Sequence, residues 1–366
     1  MARVQHLTLQ PGRRVIAVSD IHGNLPYLRG LLEKICFSRE DTLLVLGDFV
    51  EKGEYSLETL RFLMELCRTH DVHILRGNCD GWHLGGIMDP NNLEEAVRRY
   101  LRAQKPGRGP GLLVQMCREA GIPEDGEDVP GMMRSLEEKF AAELDFIRGL
   151  PHIIETERFT FVHGGLPDDG PMEDMEPFRC MKNDAFMCQG RRFDKWVIVG
   201  HWPVMLYARD ICQADPIVDP AQRIVSIDGG CVLKLDGQLN ALFLPAEGSD
   251  EFRWASYDAF PVRRVRDAQE ASSRSFYICW GDSEVEVLER GPELSRCRHC
   301  RTGYEMDILT KYLYERRGVT HCEDSTDYVL PLSPGDEVSV VEETSQGFLV
   351  KHRGVSGWYF GEFMQE

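Results

Sequence analysis

The stretch Val15-Ile16-Ala17-Val18-Ser19-Asp20-Ile21-His22-Gly23 decides the fold. A short, β-branched apolar run reads as a buried strand, and it ends abruptly in a polar Asp-x-His-Gly turn. The same grammar recurs downstream. Leu43–Leu46 precedes Gly47-Asp48, and the shorter Val72–Leu75 precedes Gly77-Asn78-Cys79-Asp80. Phe159–Val162 precedes His163-Gly164-Gly165, and Trp196–Val199 precedes Gly200-His201. Residues just past the carboxyl ends of neighbouring strands are expected to meet at one edge of a sheet, where open α/β folds bind ligands. Glycine beside each ligand-type residue lets the chain turn without a Cβ penalty and leaves room for a metal or phosphate.

Working outward, Leu25–Ile35 places Leu28, Leu31, Leu32 and Ile35 on one helical face, and Ser56–Cys67 is a second amphipathic helix. With the strands between them these segments form a β-α-β-α-β series, whose right-handed crossovers put the strands in one sheet. Residues 82–150 read as a helical insertion, with helices over Leu93–Ala103, Leu112–Ala120 and Met132–Ile147, placed to act as a lid between two ligand segments. Strands return at Phe159–Val162, Trp196–Val199 and Ile224–Ile227. A hairpin is expected from Val232–Leu235 and Leu239–Leu244 around Asp236-Gly237. The catalytic domain thus spans 1–245, and the charged, weakly periodic 246–274 reads as a linker.

Beyond it lies an internal repeat. Gly281-Asp282-Ser283-Glu284-Val285-Glu286-Val287 resembles Gly335-Asp336-Glu337-Val338-Ser339-Val340-Val341, and the copies lead to Gly303-Tyr304 and Gly357-Trp358. Two small β-barrels are expected, a degenerate one at 275–320 and a second, resembling a bacterial SH3-like domain, at 325–366. Phe276-Tyr277 and Trp358-Tyr359 are candidates either for barrel cores or for a groove that recruits a protein or peptide partner. Cys297, Cys300 and Cys322 have a spacing that tempts a zinc assignment. Aligning the copies sets Cys297 and Cys300 against Lys351 and Gly354, on a strand end and its turn, which argues against zinc.

Composition narrows the function classes. A net charge of −18, from 60 acidic and 42 basic residues, disfavours nucleic-acid binding. No apolar run is long enough to span a membrane, and Met1–Arg14 has no signal-peptide core. The 12 cysteines are scattered through strands, helices and loops, which suits reduced thiols. The expected setting is cytoplasmic.

Two divalent metals held close together can clamp a phosphate, position a bridging hydroxide for in-line attack and neutralise the leaving oxygens. Such a site needs a bridging carboxylate and a mixture of Asp, His and Asn, which Asp20, His22, Asp48, Asn78, His163 and His201 supply. This donor mix suits Mn, Fe or Zn. The order Asp-x-His-Gly, Gly-Asp-x-Val-x-x-Gly, Leu-Arg-Gly-Asn, His-Gly-Gly, Gly-His-x-Pro-Val resembles the calcineurin-like metallophosphoesterases over roughly residues 14–245. Within them it is similar to the serine/threonine phosphoprotein phosphatase branch and its bacterial relatives. The resemblance implies a four-layer α/β/β/α sandwich, with Asp20, His22 and Asp48 on one metal and Asp48, Asn78, His163 and His201 on the other. It also implies that Arg76 holds the substrate phosphate by a forked contact. Arg191 or Arg192, lying between motifs, is a candidate for a second such contact.

The motif neighbourhood departs from the family pattern in three places. Cys79 stands where the family has a histidine general acid. Glu51 replaces the aspartate that orients that histidine, and Lys52 replaces a phosphate-binding arginine with a point charge. Cys79, Asp80, Glu51 and Lys52 therefore join Asp48 and Arg76 as candidate catalytic residues. The first expectation is a dimetal phosphatase that hydrolyses phosphate monoesters of a phosphorylated protein or small phosphoester. The alternatives are a phosphodiesterase or dinucleoside polyphosphate hydrolase with the same site, motivated by Cys79, and a catalytically idle binding scaffold.

Overall fold

A computed structural model of the chain describes residues 1–81, 93–103 and 109–365. These divide into two compact units. The first comprises Met1–Trp202, Pro216–Val232 and Leu239–Tyr257; the second comprises Pro203–Asp215, Leu233–Gln238 and Asp258–Glu366. Among the described residues no helix is long and apolar enough to cross a membrane.

The first unit is mixed α/β, with two sheets face to face. Strands β1 (Val4–His6), β2 (Arg14–Val18), β3 (Asp41–Val45), β4 (Asp71–Ile74), β5 (Ile153–Glu155), β6 (Phe159–Val162), β7 (Trp196–Val199), β8 (Ile217–Asp219), β9 (Ile224–Ser226), β10 (Leu239–Phe243) and β11 (Arg253–Tyr257) are shared between them. One sheet has the order β11-β10-β2-β3-β4 and the other β1-β5-β6-β7-β9-β8. The β-α-β-α-β series forms as expected. β2, β3 and β4 are parallel, and α1 (Leu25–Lys34) and α2 (Ser56–Thr69) connect them.

Strand periodicity explains the layering. Successive residues point to opposite faces, so Ile16 and Val18 join the helices in one apolar cluster while Val15 and Ala17 join a second cluster between the sheets. The second cluster is completed from the opposite sheet by Ile154, Phe159, Phe161, Trp196, Ile198 and Val225. Helix α1 starts where the Asn24 side chain accepts a hydrogen bond from Tyr27 N, just ahead of Pro26. It buries Leu25, Leu28, Leu31 and Leu32, each contributing about 1.5–3 kcal/mol by leaving water.

The helical insertion carries α3 (Leu93–Arg102), α4 (Leu112–Ala120), α5 (Val129–Lys139) and α6 (Ala141–Gly149). Its expected opening, 82–92, and residues 106–108 of its Gly/Pro-rich connector lie outside the described residues. Leu113, Met116, Leu136, Phe140 and Leu144 enter the same cluster as α1 and α2. Arg61 on α2 pairs with Glu119 and Glu143, each at 2.8 Å. These helices are therefore a packed layer of the domain.

Two expectations change. Val232–Leu235 forms turns and does not pair with β10; β10 lies between β2 and β11. Residues around Asp236 are held instead within the second unit, where its carboxylate accepts from Ser356 Oγ at 2.5 Å and its carbonyl from Lys351 Nζ at 3.0 Å. The stretch 246–274, expected as a linker, contains β11 and a strand at Val262–Arg264. Arg253 at its start and the flanking Glu251 and Asp258 mask the alternation of β11, yet Ala255 and Tyr257 pack on the core and Tyr257 meets Tyr27 edge-on at 5.7 Å.

In the second unit the repeat is visible as two antiparallel meanders. One runs Val285–Glu289, Leu294–His299, Glu305–Leu309; the other runs Glu337–Thr344, Gly347–His352, Val355–Tyr359, with Val262–Arg264 added at its edge. The first strand of each copy carries a register shift, between Val287 and Glu289 and between Val340 and Glu342. Trp358 and Tyr359 are both buried, Trp358 in an apolar cluster with Ile278, Cys297 and Cys322, and Tyr359 in one with Val265, Leu330 and Val350. Cys300 is exposed.

One contact ties the insertion to a motif loop. Glu51 is buried, and its carboxylate accepts from the Tyr100 hydroxyl at 3.0 and 3.1 Å and from Leu112 N at 3.0 Å. Burial raises the Glu51 carboxyl from 4.5 to about 7, although the Leu112 and Tyr100 donors work against the rise. The folded chain thus binds this proton more tightly than the unfolded one. Its stabilising contribution is complete below the ordinary carboxylate value and is lost as pH rises through about 7. Glu51→Gln removes the titration. In urea unfolding between about pH 5 and pH 8, wild type should lose up to ~3 kcal/mol relative to the variant; parallel pH profiles would reject this.

Candidate functional site

Each ligand-type segment sits where its strand stops. Asp20 and His22 follow β2, Asp48 follows β3, Asn78 follows β4, His163 follows β6 and His201 follows β7. Three segments come from one sheet and two from the other, so convergence is across facing sheets and not along a single edge. The turns are tight enough to force left-handed backbone at Asp20 (φ 55°), His22 (50°), Asp48 (51°) and His201 (65°). Such conformations cost about 1–3 kcal/mol each and persist only where the surroundings impose them.

Asp80 is the main support. Its buried carboxylate accepts backbone N–H groups from Asp48 (2.6 Å), Gly77 (2.7 Å), Phe49 (2.9 Å) and Val50 (3.3 Å). Those bonds draw the β3 and β4 loops together. A Cβ on Gly77 would lie 2.3 Å from Asp48 N, so only glycine fits there. Asp80, expected among the catalytic residues, is thereby occupied in positioning Asp48.

The cluster is compact and buried. Asp20, Asp48 and His163 form one group whose ligand atoms lie within 4.8 Å of one another, and His22, Asp48 and Cys79 form a second; all are buried. Asp48 belongs to both. Its Oδ1 lies 3.4 Å from His163 Nε2 and its Oδ2 lies 3.9 Å from His22 Nε2. Asn78 Oδ1 is 3.2 Å from His163 Nε2, and His163 Nδ1 donates to Leu46 O at 2.7 Å, which turns Nε2 inward. The His201 ring stands 5.3 Å from that of His163, and His201 N donates to Asp20 Oδ2 at 2.9 Å. The structure therefore brings Asp20, His22, Asp48, Asn78 and His163 together and sets the His201 ring beside His163, with Asp20 Oδ1 3.6 Å from His22 Nε2 and also in the His163 group.

Electrostatics shows what the cluster lacks. Burial holds His22 well below its ordinary value and lowers His201 to about 4, so both rings are neutral donors. Burial alone would depress His163 as well, but Asp48 and Asp20 outweigh it and push His163 up to about 10. The paired carboxylates thus call for positive charge. Among the described residues, the buried Asp20 Oδ1 has no hydrogen-bond donor. An orphaned buried oxygen, a carboxylate shared by two groups and neutral imidazoles fit a pair of divalent metal ions.

The other expected residues fall into different places. Arg76 is partly buried and donates to Gly81 O at 2.8 Å. Lys52 Nζ lies 3.4 Å from His22 Nε2; Cys79, Asp48 and Asp20 outweigh burial and keep its ammonium above the ordinary value. Glu51 faces Tyr100 and Leu112, away from any role in orienting the residue at position 79. Arg191 is engaged by Leu166 O, Asp168 O and the Asp169 carboxylate, and it covers the Phe193 ring at 5.0 Å. Arg192 is exposed and acts on Asp219. Neither arginine is brought to the cluster.

Two residues escaped the sequence reading. Asp228, buried with one oxygen bonded to Gly230 N at 2.8 Å, lies near enough to Asp20 for their charges to interact. It has the same signal as the others, since acid and glycines follow the apolar Ile224–Ile227 run. Asp184 lies 2.7 Å from His201 Nε2, and nothing in its own neighbourhood marks it.

A family model described as Calcineurin-like phosphoesterase matches residues 13–229. A curated relative from Ectopseudomonas mendocina, described as "Bis(5'-nucleosyl)-tetraphosphatase, symmetrical", is 42% identical over 69 residues, which is 17% of this chain and 25% of that protein. The chain thus spans about a quarter of that relative's length. A relative of the same description from Photobacterium profundum is 25% identical over 264 residues, covering 59% of this chain and 89% of that one. A solved protein serine/threonine phosphatase from Saccharomyces cerevisiae is 12% identical with a TM-score of 0.45, over 71% of this chain and 85% of that one. With the family match running through every segment from Asp20 to Asp228, the chain belongs to the calcineurin-like phosphoesterases.

Proposed function

We propose that the protein is a metal-dependent phosphoesterase that cleaves the phosphoanhydride of a dinucleoside polyphosphate. The observation that carries the substrate class is the thiol at Cys79. It is buried and stands where the resemblance implies a histidine general acid, and sulfur in either protonation state is a poorer proton donor than an imidazolium. A serine or threonine alkoxide is a strongly basic leaving group that needs protonation, whereas a phosphate released from an anhydride does not. Relatives described as symmetrical bis(5'-nucleosyl)-tetraphosphatases support the same direction.

When bound, two divalent ions of the Mn, Fe or Zn type would supply Lewis acidity toward the phosphate and lower the pKa of a nucleophilic water. Asp20, His22 and Asp48 would hold one, and Asp48, Asn78, His163 and His201 the other. Asp80 fixes Asp48 through the backbone, and Asp184 orients the His201 ring. Arg76 and Lys52 would hold phosphate oxygens. The phosphoprotein reading keeps one observation in its favour, the Gly200-His201-Trp202-Pro203 motif. We read the two C-terminal meanders as SH3-like barrels; with Trp358 and Tyr359 in their cores, a peptide partner would have to use exposed aromatics such as Trp280 or Phe360.

With Mn²⁺, kcat/KM for diadenosine tetraphosphate should exceed that for a phosphoserine peptide, an aryl monoester or an aryl diester by at least about tenfold, or ~1.4 kcal/mol of extra transition-state stabilisation. A preference for the phosphopeptide would return the assignment to a protein phosphatase. No turnover of any of the four would leave only the scaffold reading. Asp48→Asn should lower kcat by at least about a hundredfold, since even supporting residues of metal sites cost roughly 10–100-fold. Metal content of that variant should fall in parallel; two metals retained at full rate would overturn the assignment of Asp48.

A further inference from the structure

We propose that Cys79 is itself a metal donor, its sulfur completing a set with His22 and Asp48. The proposal rests on the metal-dependent phosphoesterase reading and adds a soft ligand to one of its two positions. Three observations carry it. The Cys79 sulfur, an imidazole nitrogen of His22 and a carboxylate oxygen of Asp48 lie within 4.8 Å of one another, all buried. Asp20 Oδ1, which accepts no hydrogen bond among the described residues, lies 3.6 Å from His22 Nε2 and so faces the same set. Polar groups also meet the sulfur: Asn78 Nδ2 points at it from 3.3 Å, and the Lys52 ammonium is near enough for their charges to interact. A space-filling thiol would sit among apolar groups. This one is met by an amide, an ammonium, a carboxylate and an imidazole.

The backbone fixes the arrangement. Cys79 N donates to Asp48 Oδ1 at 2.7 Å, which sets the thiol against the carboxylate and leaves Oδ2 on the His22 side. Asn78 has its amide nitrogen toward Cys79 and its oxygen toward His163, so a single side chain braces both groups. Binding forms a metal–sulfur bond, and the S–H proton leaves to solvent; no electrons are transferred. A thiolate in the set favours Zn²⁺ or Co²⁺ relative to Mn²⁺.

The test uses the full chain, stripped of metal and titrated with Co²⁺. Wild type should show visible d–d absorption together with a near-ultraviolet sulfur-to-cobalt charge-transfer band. Cys79→Ser and Cys79→Ala, each checked for native circular dichroism, should keep the d–d bands and lose the charge-transfer band. Zn²⁺ affinity of Cys79→Ser should drop at least about tenfold, with a smaller change for Mn²⁺. A charge-transfer band that persists in both variants overturns the proposal, and so does wild-type protein with d–d bands and no charge transfer; in either case the phosphoesterase reading stands. Wild type without any cobalt bands overturns both.

Discussion

The site depends on the Asp80 carboxylate and the backbone amides it collects from Asp48, Phe49, Val50 and Gly77. Two loops from adjacent parallel strands would otherwise present unpaired N–H groups to a dry interior, where each costs about 1–3 kcal/mol. One buried side chain satisfies four of them and fixes the spacing between Asp48 and Asn78. Everything aimed at the centre of the cluster is measured from that frame. Burial makes the arrangement costly in isolation, and burial together with the Asp48 charge pushes Asp80 up to about 7. The amides are what make a charged carboxylate tolerable there.

Much of this was legible in the sequence because the signals were local. The apolar runs before Asp20, Asp48, Asn78, His163 and His201 announced strands, and the glycines announced turns. Two facing sheets were expected only through the family resemblance, and which strand joins which sheet was not readable from the runs themselves, since a five-residue run such as Arg14–Val18 does not say which strand lies beside it. Ile16 and Ala17 are equally apolar, yet one faces helices and the other faces the opposite sheet. Asp184 was invisible for the same kind of reason: its meaning comes from His201, 17 residues away, and from no pattern of its own.

Glu51 and the arginines show how a motif position can be right while its partner is not. Spacing placed Glu51 beside the metal loop, but a longer side chain than aspartate reaches Tyr100 and the first amide of the Leu112 helix. Arg191 lies between two motifs in sequence, and its guanidinium closes a loop at Leu166 and Asp168. Proximity along the chain gives the neighbourhood of a charged group; the direction of a long side chain is settled by whichever acceptor it meets first. The C-terminal repeat was easier, because two copies of one pattern constrain each other, down to a register shift in the first strand of each.

The left-handed backbone at Asp20, His22, Asp48 and His201 limits the alphabet available to this centre. Only Asn, Asp, His and Gly enter that region with ease, and three of those four are themselves metal donors. Substitution at these positions is therefore biased by sterics toward exchange of one ligand type for another, and a β-branched residue there would add backbone strain to the loss of a donor. Position 79, absent from the left-handed set, is free of that filter. Exchange there is limited by the space around a buried side chain and not by the backbone of the turn.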